Sequence, residues 1–376
     1  MTLGLRILFY ALCFMLGTIQ AKAASYEGSD CADGSVVLGF TGDILVHDAL
    51  YKSILPSQNF VGLWKKTIPL FKKADYMVVN LEGPAALGID KSQRDVGDVG
   101  FTYDLNVYSG TKFVFNFHSQ ILLDLKNSGV DLIGNANNHS LDRGPIGTDK
   151  TIQMAQKIQI PLVGVRESFN PNFERFHIAD VKGYRLAFIA CTEMVNSGVD
   201  PKKQVLFCYK DFNEIESMIK RLSARSDIDG VVVLPHWGVE YTQTPDKRQT
   251  SFARKYLDAG AIAVIGSHPH VLQPTEKYIT QDGRATLIAY SLGNFLAFQS
   301  GLEKKTGAVI YLRLGRNAYG KTQLLASYYT PTYRDGYEVF PISSRGAKDV
   351  LKEAAKHLIN ETRIEPDQLI CLRKSL

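Results

Sequence analysis

Six short aliphatic runs, each breaking into a polar loop, constrain the fold of this chain more than any other feature. Val36 to Thr41 leads into Gly42-Asp43, Tyr76 to Leu81 into Glu82, and Val130 to Gly134 into Asn135-Ala136-Asn137-Asn138-His139. Further on, Gly230 to Leu234 leads into Pro235-His236-Trp237-Gly238, Ala261 to Ile265 into Gly266-Ser267-His268-Pro269-His270, and Ala285 to Tyr290 into Ser291-Leu292-Gly293-Asn294. Runs of this length, rich in β-branched and aliphatic residues and closed by turn residues, read as buried strands. Open α/β sheets bind ligands at the carboxyl ends of such strands, and the acids, amides and imidazoles of this chain stand there.

Helical spacing fills the intervals. Phe117, Ile121, Leu122 and Leu125 predict a helix near 116–128, and Ile152, Ala155 and Ile158 one over 148–159. Further helices are expected over 62–73, 214–225 and 249–259, a hairpin turns at Lys182-Gly183, and 83–108 reads as a loop-rich insertion. Strands alternating with helices imply a largely parallel sheet with helices outside, and hairpins toward 306–329 imply a second sheet packed on it. The expected architecture is a four-layer α/β/β/α sandwich. One domain is expected over 34–300, with residues 301–376 adding strands that complete the sandwich and a helical tail from Lys348.

Arg6 precedes an apolar stretch from Ile7 to Ile19, and Ala21-Lys22-Ala23 offers small residues at the positions a signal peptidase reads. A secretory signal over 1–23 follows, and with it a secreted or periplasmic location, with peripheral membrane association still open. Export loses Cys13 and leaves Cys31, Cys191, Cys208 and Cys371, an even set for two disulfides. All three pairings are open on sequence, with Cys191 to Cys208 and Cys31 to Cys371 favoured. The net charge of +5 is mild and scattered, so no nucleic-acid partner is inferred.

Three imidazoles in two strand-end loops, His236, His268 and His270, suit a shared zinc, manganese or iron ion, for which a neutral ring nitrogen is a good ligand. Glu240 is placed to ligate or to orient His236. Trp237 and Tyr241 are candidates to flank an extended substrate, Asn294 to contact it or order the site, and Arg143 to bind an anion.

Taken together, Gly42-Asp43, Asn80-Leu81-Glu82-Gly83-Pro84, Asn135 to Gly144, Pro235 to Tyr241, Gly266 to Val271 and Ser291 to Phe295 resemble the CapA/PgsA family of poly-γ-glutamate capsule synthesis proteins. That family belongs to the calcineurin-like metallophosphoesterase superfamily. The resemblance implies a metallophosphoesterase-like fold and two divalent metal ions that activate a water. It places Asp43 and His270 on the first metal, Asn138, His236 and His268 on the second, and Glu82 at the bridging position. His139 takes the place of the acid that protonates a leaving group. The chain departs from the superfamily in carrying His47 four positions after Asp43 and a glutamate where an aspartate bridges, which leaves His47 either a metal ligand or a surface residue.

The expected function is an exported, metal-dependent role in the synthesis, release or processing of poly-γ-glutamate or a similar anionic polymer, with membrane-bound capsule synthase subunits as partners. Two alternatives stand beside it: a periplasmic phosphoesterase, and a non-catalytic polymer-binding scaffold. The first two readings make the protein a metal-dependent hydrolase.

Overall fold

In the computed structural model, which describes residues 31–111, 114–170, 174–343 and 347–371, the aliphatic runs are strands divided between two sheets. The chain begins the first sheet with parallel strands β1 (Val36–Ile44), β2 (Tyr76–Leu81), β3 (Leu132–Gly134) and β4 (Leu162–Val163). It then builds the whole second sheet from β5 (His177–Val181), β6 (Tyr184–Thr192), β7 (Gly230–His236), β8 (Ala263–Ile265), β9 (Thr275–Ile279) and β10 (Ala285–Ala289). There β6, β7, β8 and β10 run parallel, while β5 and β9 are antiparallel edges. Finally the chain returns to the first sheet with β11 (Asn294–Leu296) beside β1, then antiparallel β12 (Thr306–Arg316), β13 (Thr322–Asp335) and β14 (Glu338–Pro341), and β15 (Thr362–Arg363) beside β13.

Side-chain parity along the strands builds the layers, because successive residues of a strand point to opposite faces. Val36, Leu38 and Phe40 of β1 and Val78 of β2 meet Leu186 and Phe188 of β6 and Val232 of β7 in a core between the sheets. Their neighbours Val37, Met77 and Val79 point outward, onto helices α1 (Asp48–Ser53), α2 (Ile68–Phe71), α3 (Gln120–Asn127) and α4 (Gly144–Ile158). On the second sheet Ala187, Ile189, Val231 and Val233 face α5 (Phe212–Ser223) and α6 (Lys247–Asp258). The result is the expected α/β/β/α sandwich. The short α7 (Leu302–Lys305) and α8 (Lys348–His357) lie against the C-terminal strands, with Ala354 and Leu358 on Ala308 and Tyr329.

Both favoured disulfides are present: Cys31 with Cys371, which are 340 positions apart, and Cys191 with Cys208. Each contributes about 2–4 kcal/mol, comparable to burying a single large apolar side chain at about 1.5–3 kcal/mol, so the fold rests on its cores and the bridges fasten loops.

Two local expectations fail for physical reasons. The helix expected over 62–73 is broken into 3-10 turns at Val61–Leu63 and Lys65–Thr67 before α2 begins, since Pro69 has no N–H and is confined to a first turn. After α8 the tail adds a strand that was not expected, Thr362 and Arg363 pairing with Tyr328 and Tyr329. The expected signal over 1–23, with Cys13, lies outside the described residues. Among those described, no helix is long and apolar enough to cross a membrane.

Candidate metal centre

The C-terminal ends of the parallel strands in both sheets meet at one place. Asp43 ends β1, Glu82 follows β2, the Asn135 to His139 turn follows β3, His236 ends β7, and the Ser267 to His270 loop follows β8. Backbone economy makes the convergence tight. At Gly42 any Cβ would sit 1.8 Å from the Gly293 carbonyl, so only glycine lets the Ser291 to Asn294 turn approach β1, and Asp43 N donates to that same carbonyl at 3.0 Å. His268 and His270 both hold positive φ, +100° and +58°, a left-handed conformation that non-glycine residues adopt at a cost of order 1–3 kcal/mol and that clusters at functional sites.

Asparagines fix the acids. Asn135 Nδ2 donates to the carbonyls of Leu81 and Gly83 at 2.9 and 3.0 Å, and Asn137 Nδ2 to Leu81 at 2.8 Å, so the peptides on either side of Glu82 are clamped. Asn80 Nδ2 donates to Asp43 Oδ1 at 2.7 Å, and the His268 N–H to Asp43 Oδ2 at 3.1 Å.

Around these acids the ligand-type atoms fall into two groups that share Glu82: Asp43, Glu82 and His270 in one, Glu82, His236 and His268 in the other, with atoms within 4.8 Å of one another in each. Asn138 joins the second, its Oδ1 lying 2.9 Å from His236 Nε2, while His268 Nδ1 is 3.1 Å from that same nitrogen. The far nitrogen of His236 pairs with Ser267 Oγ at 2.9 Å, which turns Nε2 inward. His270 Nδ1 is oriented by Asn294 Oδ1 at 2.9 Å and Asp43 Oδ2 at 3.3 Å.

Glu82 is the exceptional group. It is fully buried, neither carboxylate oxygen has a hydrogen-bond partner, and Oε1 lies 3.6, 3.7 and 4.0 Å from the Nε2 atoms of His236, His270 and His139. Burial, together with the Asp43 and Glu240 charges, pushes its carboxyl up to about 8. Leaving a buried carboxylate unpaired costs several kcal/mol, so the geometry asks for a cation.

The other ionisations agree with that demand. Burial drives His236 and His268 down to about 3, which keeps both imidazoles neutral and their lone pairs available. Burial acts against charge on Asp43 and His270 as well, but their mutual hydrogen bond and attraction outweigh it, holding Asp43 down at about 2 and, with Glu82, His270 up at about 10. The same carboxylates that hold a proton on His270 would attract a divalent cation in its place.

His139 stands beside this centre, edge-on to Phe115 with ring centroids 4.7 Å apart. Its Nδ1 donates to Asp142 Oδ2 at 2.7 Å, so Nε2 faces Glu82. Burial lowers its pKa, but the hydrogen bond and charge of Asp142 outweigh that and raise it. Asp142 is not among the candidate site residues read from the sequence. Asn196 was missed altogether: its N–H donates to Asn138 O at 2.7 Å and its amide lies 3.3 and 3.4 Å from the two ring nitrogens of His139. Ser267 was missed in the same way. For Asp142 the i, i+3 spacing after His139 was a readable signal; Asn196 comes from a distant loop and had none.

The remaining candidates divide. Tyr241 is exposed beside the centre, its ring stacked 6.0 Å from that of His270. Glu240 is near enough for its charge to raise Glu82 and His270, yet it belongs to neither group of ligand atoms. His47 also lies outside both groups: its Nδ1 accepts the Phe298 N–H at 3.1 Å, and burial, with the nearby His270 and His139, lowers it to about 4. Asn294 orders the site and has no amide hydrogen left for a substrate, since Nδ2 donates to His270 O, Gln299 Oε1 and Lys304 O.

Two candidates are corrected. Arg143 is completely buried and its guanidinium donates to the carbonyls of Val107, Val114 and Asp142 and to Ser109 Oγ, so it fastens the 83–115 insertion and reaches no anion. Trp237 is also completely buried, donates to Tyr290 O at 3.2 Å and stacks with Tyr209 and Tyr256, which makes it core and not a substrate platform.

The family model described as bacterial capsule synthesis protein PGA_cap matches residues 37–299 of the chain. The PGA biosynthesis protein CapA of Bacillus subtilis (strain 168) is 28% identical over 342 residues, covering 90% of this chain and 81% of the relative. The capsule biosynthesis protein CapA of Bacillus anthracis is 28% identical over 287 residues, covering 75% of this chain and 64% of the relative. Among solved structures, the 5'-nucleotidase of Candida albicans SC5314 aligns with a TM-score of 0.35 and 10% identity over 73% of this chain and 47% of its own.

Proposed function

Because the chain belongs to the bacterial capsule synthesis protein PGA_cap family, we propose that it is an exported, metal-dependent protein that acts in the synthesis, release or processing of poly-γ-glutamate or a similar anionic capsule polymer. The observation that carries the metal-dependent part is Glu82, a buried carboxylate with no hydrogen-bond partner, shared by two groups of ligand atoms. Asp43 and His270 are assigned to one divalent cation and Asn138, His236 and His268 to the other, with Glu82 common to both. Zinc, manganese and iron all suit such a mixed imidazole, amide and carboxylate set. Bound there, the cations supply Lewis acidity and an activated water.

The chain's own groups supply the rest. Asp142 keeps a proton on His139, and Nε2 of His139, beside Glu82, can deliver it to a leaving group. Asn196 covers the ring and Phe115 packs its edge, which fixes the imidazole plane. This pairing of a cation site with a protonated histidine equally favours hydrolysis of a phosphoester as a second reading. Export is supported by the two disulfides and by the N-terminal apolar stretch, and 34–300 is assigned as the CapA-like unit that strands from 301–376 complete. Membrane-bound synthase subunits are the partners this reading implies.

Incubation of metal-loaded protein with poly-γ-glutamate, followed by sizing of the polymer, separates the readings. Chain shortening that His139→Ala abolishes supports the polymer reading. An unchanged polymer together with turnover of a chromogenic phosphodiester supports the second.

A further inference from the structure

Three aromatic side chains near one another in the fold, Tyr241, Phe298 and Tyr337, are exposed at 50, 40 and 49%. Isolated exposed rings need no explanation, but these are linked to one another and, through Tyr241, to the metal centre. Tyr241 stacks on His270, and Phe298 stacks on Tyr337 with centroids 5.7 Å apart. Gln299 Nε2 donates to the Tyr241 hydroxyl at 3.4 Å, linking the two halves.

The array is held in place at a cost. Tyr241 keeps a left-handed backbone at φ +63°, a strained state for a tyrosine, anchored by its N–H on Pro269 O at 2.7 Å. Arg334, nearly buried, lays its guanidinium 4.7 Å from the Phe298 ring centroid and donates to the carbonyls of Gln299 and Gly336. The ammonium of Lys304 stands 5.0 Å from the Tyr241 ring centroid, and its contact with Glu303 is long, at 3.9 Å. Glu240 is the acidic neighbour on the Tyr241 side.

We propose that Tyr241, Phe298 and Tyr337, with Lys304 and Arg334, form a subsite that receives the segment of a carboxylate-bearing chain next to the bond at the metal centre. Apolar stems of such a chain lie on the rings, and its carboxylates reach the Lys304 ammonium. A small phosphoester has no need of this array; a polymer does. The inference rests on the polymer reading above and adds to it the residues that hold the chain.

Binding of fluorescently labelled poly-γ-glutamate of defined length, followed by anisotropy at low and high salt, tests it. Lys304 is partly exposed on a four-residue helix, so its replacement leaves folding intact, with melting temperature as the control. Lys304→Ala is expected to weaken binding roughly tenfold and to flatten its salt dependence, Lys304→Arg to restore both, and Tyr241→Ala to weaken binding severalfold. Wild-type binding indifferent to both alanine variants overturns the subsite while leaving the polymer reading intact. No wild-type binding at all overturns both.

Discussion

Asp142 accepts a 2.7 Å hydrogen bond from Nδ1 of His139, and the two side chains are only 3 and 4% exposed. In that setting carboxylates decide the charge of the imidazole: burial alone lowers the histidine pKa, and the net rise comes chiefly from Asp142, with a smaller contribution from Glu82.

Asp142→Asn is therefore expected to move the alkaline limb of the pH–activity profile to lower pH, because His139 then loses its proton sooner. At neutral pH the loss is roughly 10–100-fold in kcat, less than the roughly 10²–10⁴-fold expected when a general acid is removed outright. Metal content stays at the wild-type level. A pH–rate profile on metal-loaded protein reads this, and an unshifted limb removes His139 as the acid.

The metal-free protein should lose stability as pH rises above neutrality. Glu82 is raised from 4.5 to about 8 and His270 from 6.5 to about 10, so over these ranges the folded chain binds protons that the unfolded chain has released. Stability from both groups is complete below their unfolded values and is lost as pH climbs through the folded ones. Below about pH 6.5 His236 and His268, neutral only in the folded chain, act in the opposite sense, so melting temperature after chelation should fall from about pH 7 to pH 10, with bound cations flattening the curve. Glu82→Gln should remove part of the slope in chelated protein.

Trp237 separates core from substrate contact. Trp237→Ala should destabilise by about 3–5 kcal/mol, the cost of emptying a large buried site, and Trp237→Phe by less. Polymer affinity of the phenylalanine variant should equal that of wild type, as measured by urea melts and the anisotropy assay in parallel.

The bridge between Cys191 and Cys208 closes the loop that brings Asn196 onto His139. Its removal by Cys191→Ser with Cys208→Ser should cost about 3 kcal/mol by chain entropy and lower kcat further than the folded fraction explains. Asn196→Ala should reproduce the kcat effect without the stability loss.

Much of this centre was legible because the chemistry sits where strand patterns stop. Asp43, Glu82, Asn138, His236, His268 and His270 each follow an aliphatic run, and a parallel sheet brings such ends to one edge. What could not be read depends on packing across the molecule. Nothing local distinguishes Trp237, buried under Tyr209 and Tyr256, from exposed Tyr241 four residues on. Arg143 looked like an anion binder because its four bonding partners, Val107, Ser109, Val114 and Asp142, lie in loops that only the folded chain brings together. Similarly, β15 is two residues long and owes its existence to β13, not to its own sequence.

If the Glu82-centred array holds two cations, elemental analysis of protein purified without chelator will count them. Two divalent transition-metal ions per chain are expected, with Glu82→Gln and His268→Ala each retaining fewer than the wild type while remaining folded. A folded wild-type protein that carries no such metal, and takes up none on dialysis against zinc, manganese or iron, contradicts the two-cation assignment.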